Sequence, residues 1–126
     1  MTDVVLDASA VLALILEEPG AAGVAAQLDG GRLSTVNLAE VAQRLADRWT
    51  DAQVGAVLAA FPFEVVDFDR ATAVRAGLMR RVTRAHGLSL GDRACLALAE
   101  RLAAPVLTAD RAWAELDLGV EVVLIR

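Results

Sequence analysis

The fold class this sequence predicts is a three-layer α/β/α sandwich with a mostly parallel central sheet, and three observations lead to it. Short β-branched or Leu-rich runs without polar alternation occur at Val4-Val5-Leu6, Val106-Leu107-Thr108 and Val120 to Ile125. Such runs mark strands buried on both faces, the habit of parallel sheets. Helical stretches separate the strands, and that alternation places helices on the faces of a parallel sheet. The 126 residues show no repeat, low-complexity tract or linker. A chain of this length is expected to form a single domain over residues 1–126.

Each element has its own signal. Val4-Val5-Leu6 runs into Asp7, which opens a helix. Gly20 to Leu28 is helical by composition, and Leu33-Ser34-Thr35 is a weaker strand. Asn37 to Arg48 places Leu38, Val41, Ala42 and Leu45 on one stripe at helical spacing. Asp51 to Ala60 is helical by composition, and Glu64-Val65-Val66 is a second weak strand. Asp69 to His86 repeats the amphipathic pattern through Val74, Leu78 and Val82, which predicts that those three face the core. Ser89 to Ala103 is the last long helix. Val106-Thr108 then leads into Asp110 and a short helix toward Leu116, and Val120 to Ile125 closes the chain.

Composition narrows the chemistry. Hydrophobic residues make up 56% and charged ones 23%, which excludes a disordered or collagen-like chain. All twelve basic residues are arginine. Without lysine there is no Walker phosphate loop and no Schiff base. One cysteine, Cys95, permits no internal disulfide, and one histidine, His86, permits no zinc site of repeated Cys and His ligands. The start Met-Thr-Asp lacks the positive region of a signal peptide. The longest apolar run, Ala10 to Leu16, falls well short of the roughly 20 residues a membrane helix needs. A cytoplasmic, reduced protein without membrane association is expected.

Four acids stand out by position. Asp7 follows the first strand, Glu40 and Asp92 fall in first turns of helices begun by Asn37 and Ser89, and Asp110 follows Val106-Thr108. In a parallel α/β sheet the helices begin at the carboxyl edge of the strands, where open sheets place their sites. The four acids are therefore expected to converge. Helix capping is the competing explanation, because Asn37-x-x-Glu40 and Ser89-x-x-Asp92 have capping-box spacing, and Asp7 and Asp110 suit N-caps. A cap contributes about 1 kcal/mol. Two like charges about 4 Å apart repel by about 4 kcal/mol at an effective dielectric near 20. Convergence thus favours a cation site, and oxygen ligands alone suit Mg²⁺ or Mn²⁺. Such an ion supports phosphodiester hydrolysis by activated water. Ser9 and Thr108 are placed to orient a carboxylate or water from behind.

Val5-Leu6-Asp7-Ala8-Ser9-Ala10, Asn37-Leu38-Ala39-Glu40-Val41, Leu90-Gly91-Asp92-Arg93-Ala94 and Leu107-Thr108-Ala109-Asp110-Arg111 resemble the four signatures of the PIN-domain family. More closely, the chain resembles the VapC toxins of toxin–antitoxin pairs, along its whole length and in the same order. The resemblance implies a Mg²⁺- or Mn²⁺-dependent endoribonuclease, usually a homodimer, acting on RNA and inhibited by a cognate VapB-like antitoxin. It implies that Asp7, Glu40, Asp92 and Asp110 bind the metal, with Ser9 and Thr108 beside them. Many relatives carry a further acid shortly after the fourth; here Ala112 and Trp113 stand there, which leaves a second metal position without that ligand.

Six arginines against one acid lie between Arg70 and Arg93, so the net charge of −5 hides a basic segment. Arg80, Arg81 and Arg84 are candidates for holding RNA phosphates, against the alternative of a solvated helix face. His86-Gly87 suits a helix end. Cys95 is expected in the core, and so is Trp113, with the cleft or a dimer contact as its alternatives. Two other functions compete. A phosphatase of the haloacid dehalogenase type, or a phosphoryl-accepting receiver domain, needs a lysine that is absent. A non-catalytic interaction module would carry capped helices and bind no metal.

Overall fold

The computed structural model describes residues 3–126. Its core is a five-stranded sheet in the order β3-β2-β1-β4-β5, built from β1 (Val4–Leu6), β2 (Gly31–Ser34), β3 (Glu64–Val66), β4 (Val106–Thr108) and β5 (Val122–Leu124). Every pairing is parallel. The strand order reverses between β1 and β4, which makes the carboxyl end of that pair the crevice of the sheet.

Alternation along β1 explains the three layers. Val4 and Leu6 point into one apolar cluster with Leu33 and Leu107, covered by α1 (Ala8–Ile15), α2 (Ala21–Ala26), α3 (Thr35–Ala46) and Val54 of α4 (Asp51–Ala60). Val5 points the other way and packs with Val106 under α5 (Arg70–Leu78) and α7 (Leu90–Leu102). A short α6 (Arg80–Thr83) and a 3₁₀ turn at Arg84–His86 link those two helices. Successive strand residues face opposite sides, so one strand serves both clusters. Cys95 and Trp113 are buried in the second cluster, as expected. Gly87 ends the 84–86 turn at φ +65°, a left-handed conformation that glycine adopts without strain.

Three expectations about elements need correction. The third helix starts at Thr35, not Asn37, because the weak strand ends at Ser34, whose Oγ accepts the Val36 N–H as the cap. The stretch 69–86 is broken after Leu78, and Val74, Leu78 and Val82 are exposed by 58%, 46% and 59%. The face that packs inward instead carries Thr72, Ala76, Met79 and Thr83. Hydrophobicity picked the wrong stripe because two of the four inward residues are threonines; Thr83 spends its hydroxyl on the Met79 carbonyl. Finally, β5 is half-buried rather than buried on both faces, since it is an edge strand with one neighbour.

The corrected helix face has a measurable consequence. Met79→Ala is expected to lower the unfolding free energy by about 2–5 kcal/mol. Val82→Ala should change it by less than about 0.5 kcal/mol. Urea unfolding of the two variants at low protein concentration compares them directly, and equal losses would contradict this packing.

Candidate active site

All four acids reach one cleft of about 320 Å³ at the carboxyl edge of the sheet, lined by Asp7, Ser9, Glu40, Asp92 and Asp110 together with Ala8, Leu12, Gln43 and Arg44. They stand at different depths. Asp7 is 6% exposed and forms the floor. Glu40 and Asp92 are half-buried on the walls, and Asp110 is exposed at the rim.

Asp7 occupies the N-cap position of α1, yet its carboxylate caps nothing. Its Oδ2 accepts hydrogen bonds from Ser9 Oγ at 2.6 Å and Thr108 Oγ1 at 2.9 Å. Ser9 Oγ in turn accepts the Ala109 N–H, and Thr108 Oγ1 accepts the Asp110 N–H. These two hydroxyls tie the end of β1 to the end of β4. Burial pushes the Asp7 carboxyl up from its ordinary value, against the two hydroxyl hydrogen bonds, and the charges of Asp92 and Glu40 push it further.

Glu40 lies in the second turn of α3, so it closes no capping box. Asn37, fully buried, donates Nδ2–H to Glu40 Oε1 at 2.7 Å and to the Gly91 carbonyl at 3.0 Å. It bridges the two acid-bearing helices, a role that its mistaken reading as a cap concealed. Gly91 completes the arrangement: a Cβ there would stand 2.6 Å from the Glu40 Cδ, so the Glu40 carboxylate fills the space that glycine leaves. Nothing in the sequence signals that contact.

Asp92 does form the expected capping box. Its Oδ2 accepts the Ser89 N–H, and Ser89 Oγ accepts the Asp92 N–H. Asp110 caps the 3₁₀ turn at Arg111–Glu115 through Oδ1 and the Ala112 N–H. Capping therefore accounts for part of two acids and for neither Asp7 nor Glu40. In each of the four, one carboxylate oxygen takes a protein donor, and the other makes no hydrogen bond among the described residues.

The donor set is all oxygen, which suits a hard divalent cation. No group of three or more acid, histidine or cysteine side chains among the described residues is set to hold an ion as it stands. Arg80, Arg81 and Arg84 are exposed but line no part of the cleft, whereas Arg44, which the charge pattern did not single out, does. An arginine one turn after a site acid was the available signal.

The chain belongs to the PIN domain family, whose model matches residues 4–118. Its fold is similar to that of several solved toxin–antitoxin structures. A chain of the DNA-bound VapBC complex of Salmonella typhimurium matches with a TM-score of 0.81 and 19% identity, covering 100% of both chains. A toxin–antitoxin complex from Klebsiella pneumoniae gives 0.79 and 18%, covering 98% of each chain. VapBC-5 of Mycobacterium tuberculosis, a member of the VapBC family, gives 0.64 and 27%, covering 100% of this chain and 99% of that one. No curated protein sequence matches the chain. The α/β/α architecture and the family are thus as the sequence predicts, and no helix among the described residues is long and apolar enough to cross a membrane.

The raised Asp7 carboxyl has a consequence for stability. A folded-state value above the unfolded one means that the metal-free fold is penalised above that raised value, and that the penalty fades as pH falls toward the ordinary 3.8. Asp7→Asn is therefore expected to raise the thermal midpoint of EDTA-treated protein at pH 7, with the gain shrinking as the pH approaches 4. A loss of stability at pH 7 would contradict this.

Proposed function

We propose that the protein is a metal-dependent endoribonuclease, the toxin of a type II toxin–antitoxin pair, and that it hydrolyses RNA phosphodiesters by direct attack of water. One observation carries the reading: four carboxylates from four distant segments meet in a single cleft, each with an oxygen that makes no hydrogen bond among the described residues. Mutual repulsion makes that arrangement costly unless a cation occupies it.

Asp7, Glu40, Asp92 and Asp110 would hold Mg²⁺ or Mn²⁺. A bound divalent ion polarises a phosphoryl oxygen and lowers the pKa of water enough for it to attack. The chain's own residues prepare the site. Ser9 and Thr108 fix Asp7 through Oδ2, leaving Oδ1 for the cleft. Asn37 and Gly91 fix Glu40 against α7. The Ser9 hydroxyl donates to Asp7 and accepts from Ala109, which gives it an anchoring role between the two strand ends. No histidine, cysteine or lysine lines the cleft among the described residues, which favours water as the attacking group.

The partners follow from the same reading: an RNA substrate and a cognate VapB-like antitoxin, in the cytoplasm. The solved VapBC structures support the antitoxin. A homodimer is supported by the exposed apolar side chains Val74, Leu78, Val82 and Leu90, which a partner surface would cover. Arg80, Arg81 and Arg84 remain candidates for RNA phosphates beyond the cleft. A non-catalytic module with capped helices accounts for Asp92 and Asp110 but gives no reason for buried Asp7 beside two further acids.

The test is cleavage of total cellular RNA by purified, antitoxin-free protein with Mg²⁺, with Mn²⁺ and with EDTA. Discrete fragments are expected with either metal and none with EDTA. Asp92→Asn should lower the rate by at least about 100-fold, on the scale of losing a group that stabilises transition-state charge. Metal-independent cleavage, or full activity in the variant, would overturn the reading.

A further inference from the structure

We infer that Arg44 grips an RNA phosphate beside the carboxylate cluster, so that the strand enters the cleft along α3. This rests on the nuclease reading above. A phosphodiester approaching the cleft meets four carboxylates, and one divalent ion offsets at most half of their charge. A second positive group is required on the wall, and the residues lining the cleft include one, Arg44.

Its placement follows from helix geometry. Arg44 comes four residues after Glu40 on α3, so the two side chains project from the same face, one turn apart. Arg44 is exposed and makes no ion pair or hydrogen bond among the described residues. Arg32, Arg75, Arg101 and Arg126 are each held by an acid, and of the arginines left unpaired among the described residues Arg44 is the one that lines the cleft. Arg44 is therefore close enough to line the acid site without being neutralised by it. Its guanidinium retains its donors, in the planar fork that suits two oxygens of one phosphate. Gln43 adds a neutral amide on the same wall.

A simpler role must be separated from this one. Arg44 lies in the last turn of α3, where a cation interacts favourably with the helix dipole. That role affects stability and leaves RNA binding untouched. The phosphate role affects RNA binding and its salt dependence and is largely retained by lysine.

The experiment measures binding of a fluorescein-labelled, mixed-sequence single-stranded RNA to protein carrying Asp92→Asn, which blocks cleavage, across roughly 50 to 200 mM salt. Adding R44Q is expected to weaken binding about tenfold at low salt. It should also reduce the slope of log affinity against log salt by about 0.7, the contribution of one phosphate on a single strand. R44K should keep the slope, and R101Q, the same charge change near the far end of α7, should leave both unchanged. In the cleaving protein, R44Q should raise KM about tenfold with kcat nearly intact. If wild type cleaves RNA while R44Q keeps the affinity, slope and KM, the Arg44 assignment falls and the nuclease reading stands. If R44Q only lowers the thermal midpoint, the dipole role is the correct one. A wild type that neither binds nor cleaves RNA overturns both.

Discussion

Asp7 is held 6% exposed at the end of the central strand, facing the charges of Asp92 and Glu40, and the cost of an ionised carboxylate there is the constraint on which the rest of the site depends. Isolated charges are rarely buried in this way because desolvation is expensive. Two hydroxyls reduce the cost by donating to a single oxygen, but they leave the repulsion from the other acids in place. The fold therefore keeps a carboxylate cluster whose mutual repulsion it does not relieve with a basic partner at Asp7. Natural proteins commonly accept local conflicts of this kind at functional sites and offset them elsewhere.

The offset here is the parallel sheet. β1 and β4 are adjacent although a hundred residues separate them, so Asp7 and Asp110 leave the same edge side by side. α3 and α7 run back from that edge, which brings Glu40 and Asp92 to it from the two flanking layers. Asn37 then locks these helices together through Glu40 and the Gly91 carbonyl. The lock has its own cost, since Asn37 Oδ1 is buried without a partner among the described residues. An unsatisfied buried acceptor costs about 1–3 kcal/mol. An asparagine retained on those terms holds Glu40 in position.

Much of this was legible in the residues, and the failures have physical causes. The apolar runs at 4–6 and 106–108 have one interpretation, so the strands and the acids that follow them could be placed. Ser89-x-x-Asp92 is a true capping box, whereas Asn37-x-x-Glu40 has the same spacing and is not one. Spacing cannot distinguish the two, because Ser34 also stands three residues before Asn37 and takes the cap. Over the stretch 69–86 the apolar stripe points to the wrong face, since Thr72 and Thr83 pack inward while Val74 and Val82 remain outside. Hydrophobic periodicity assumes that apolar means inward, and an apolar surface stripe defeats it. Gly91 and Arg44 act through neighbours in space. The part of Gly91 follows only once α3 and α7 meet at the sheet edge, whereas Arg44 stands one turn after Glu40 on the same helix.

If the four acids hold a divalent ion, thermal unfolding during a Mn²⁺ titration reads that binding without any substrate. A ligand that binds the folded state alone raises its stability in proportion to the logarithm of concentration over Kd, by about 2.7 kcal/mol at a hundredfold excess over Kd. A saturable rise in the wild-type midpoint with Mn²⁺ is expected, reversed by EDTA and lost when Asp7 and Asp92 are both replaced by asparagine. A wild-type midpoint indifferent to Mn²⁺, or an equal rise in the double variant, would contradict it.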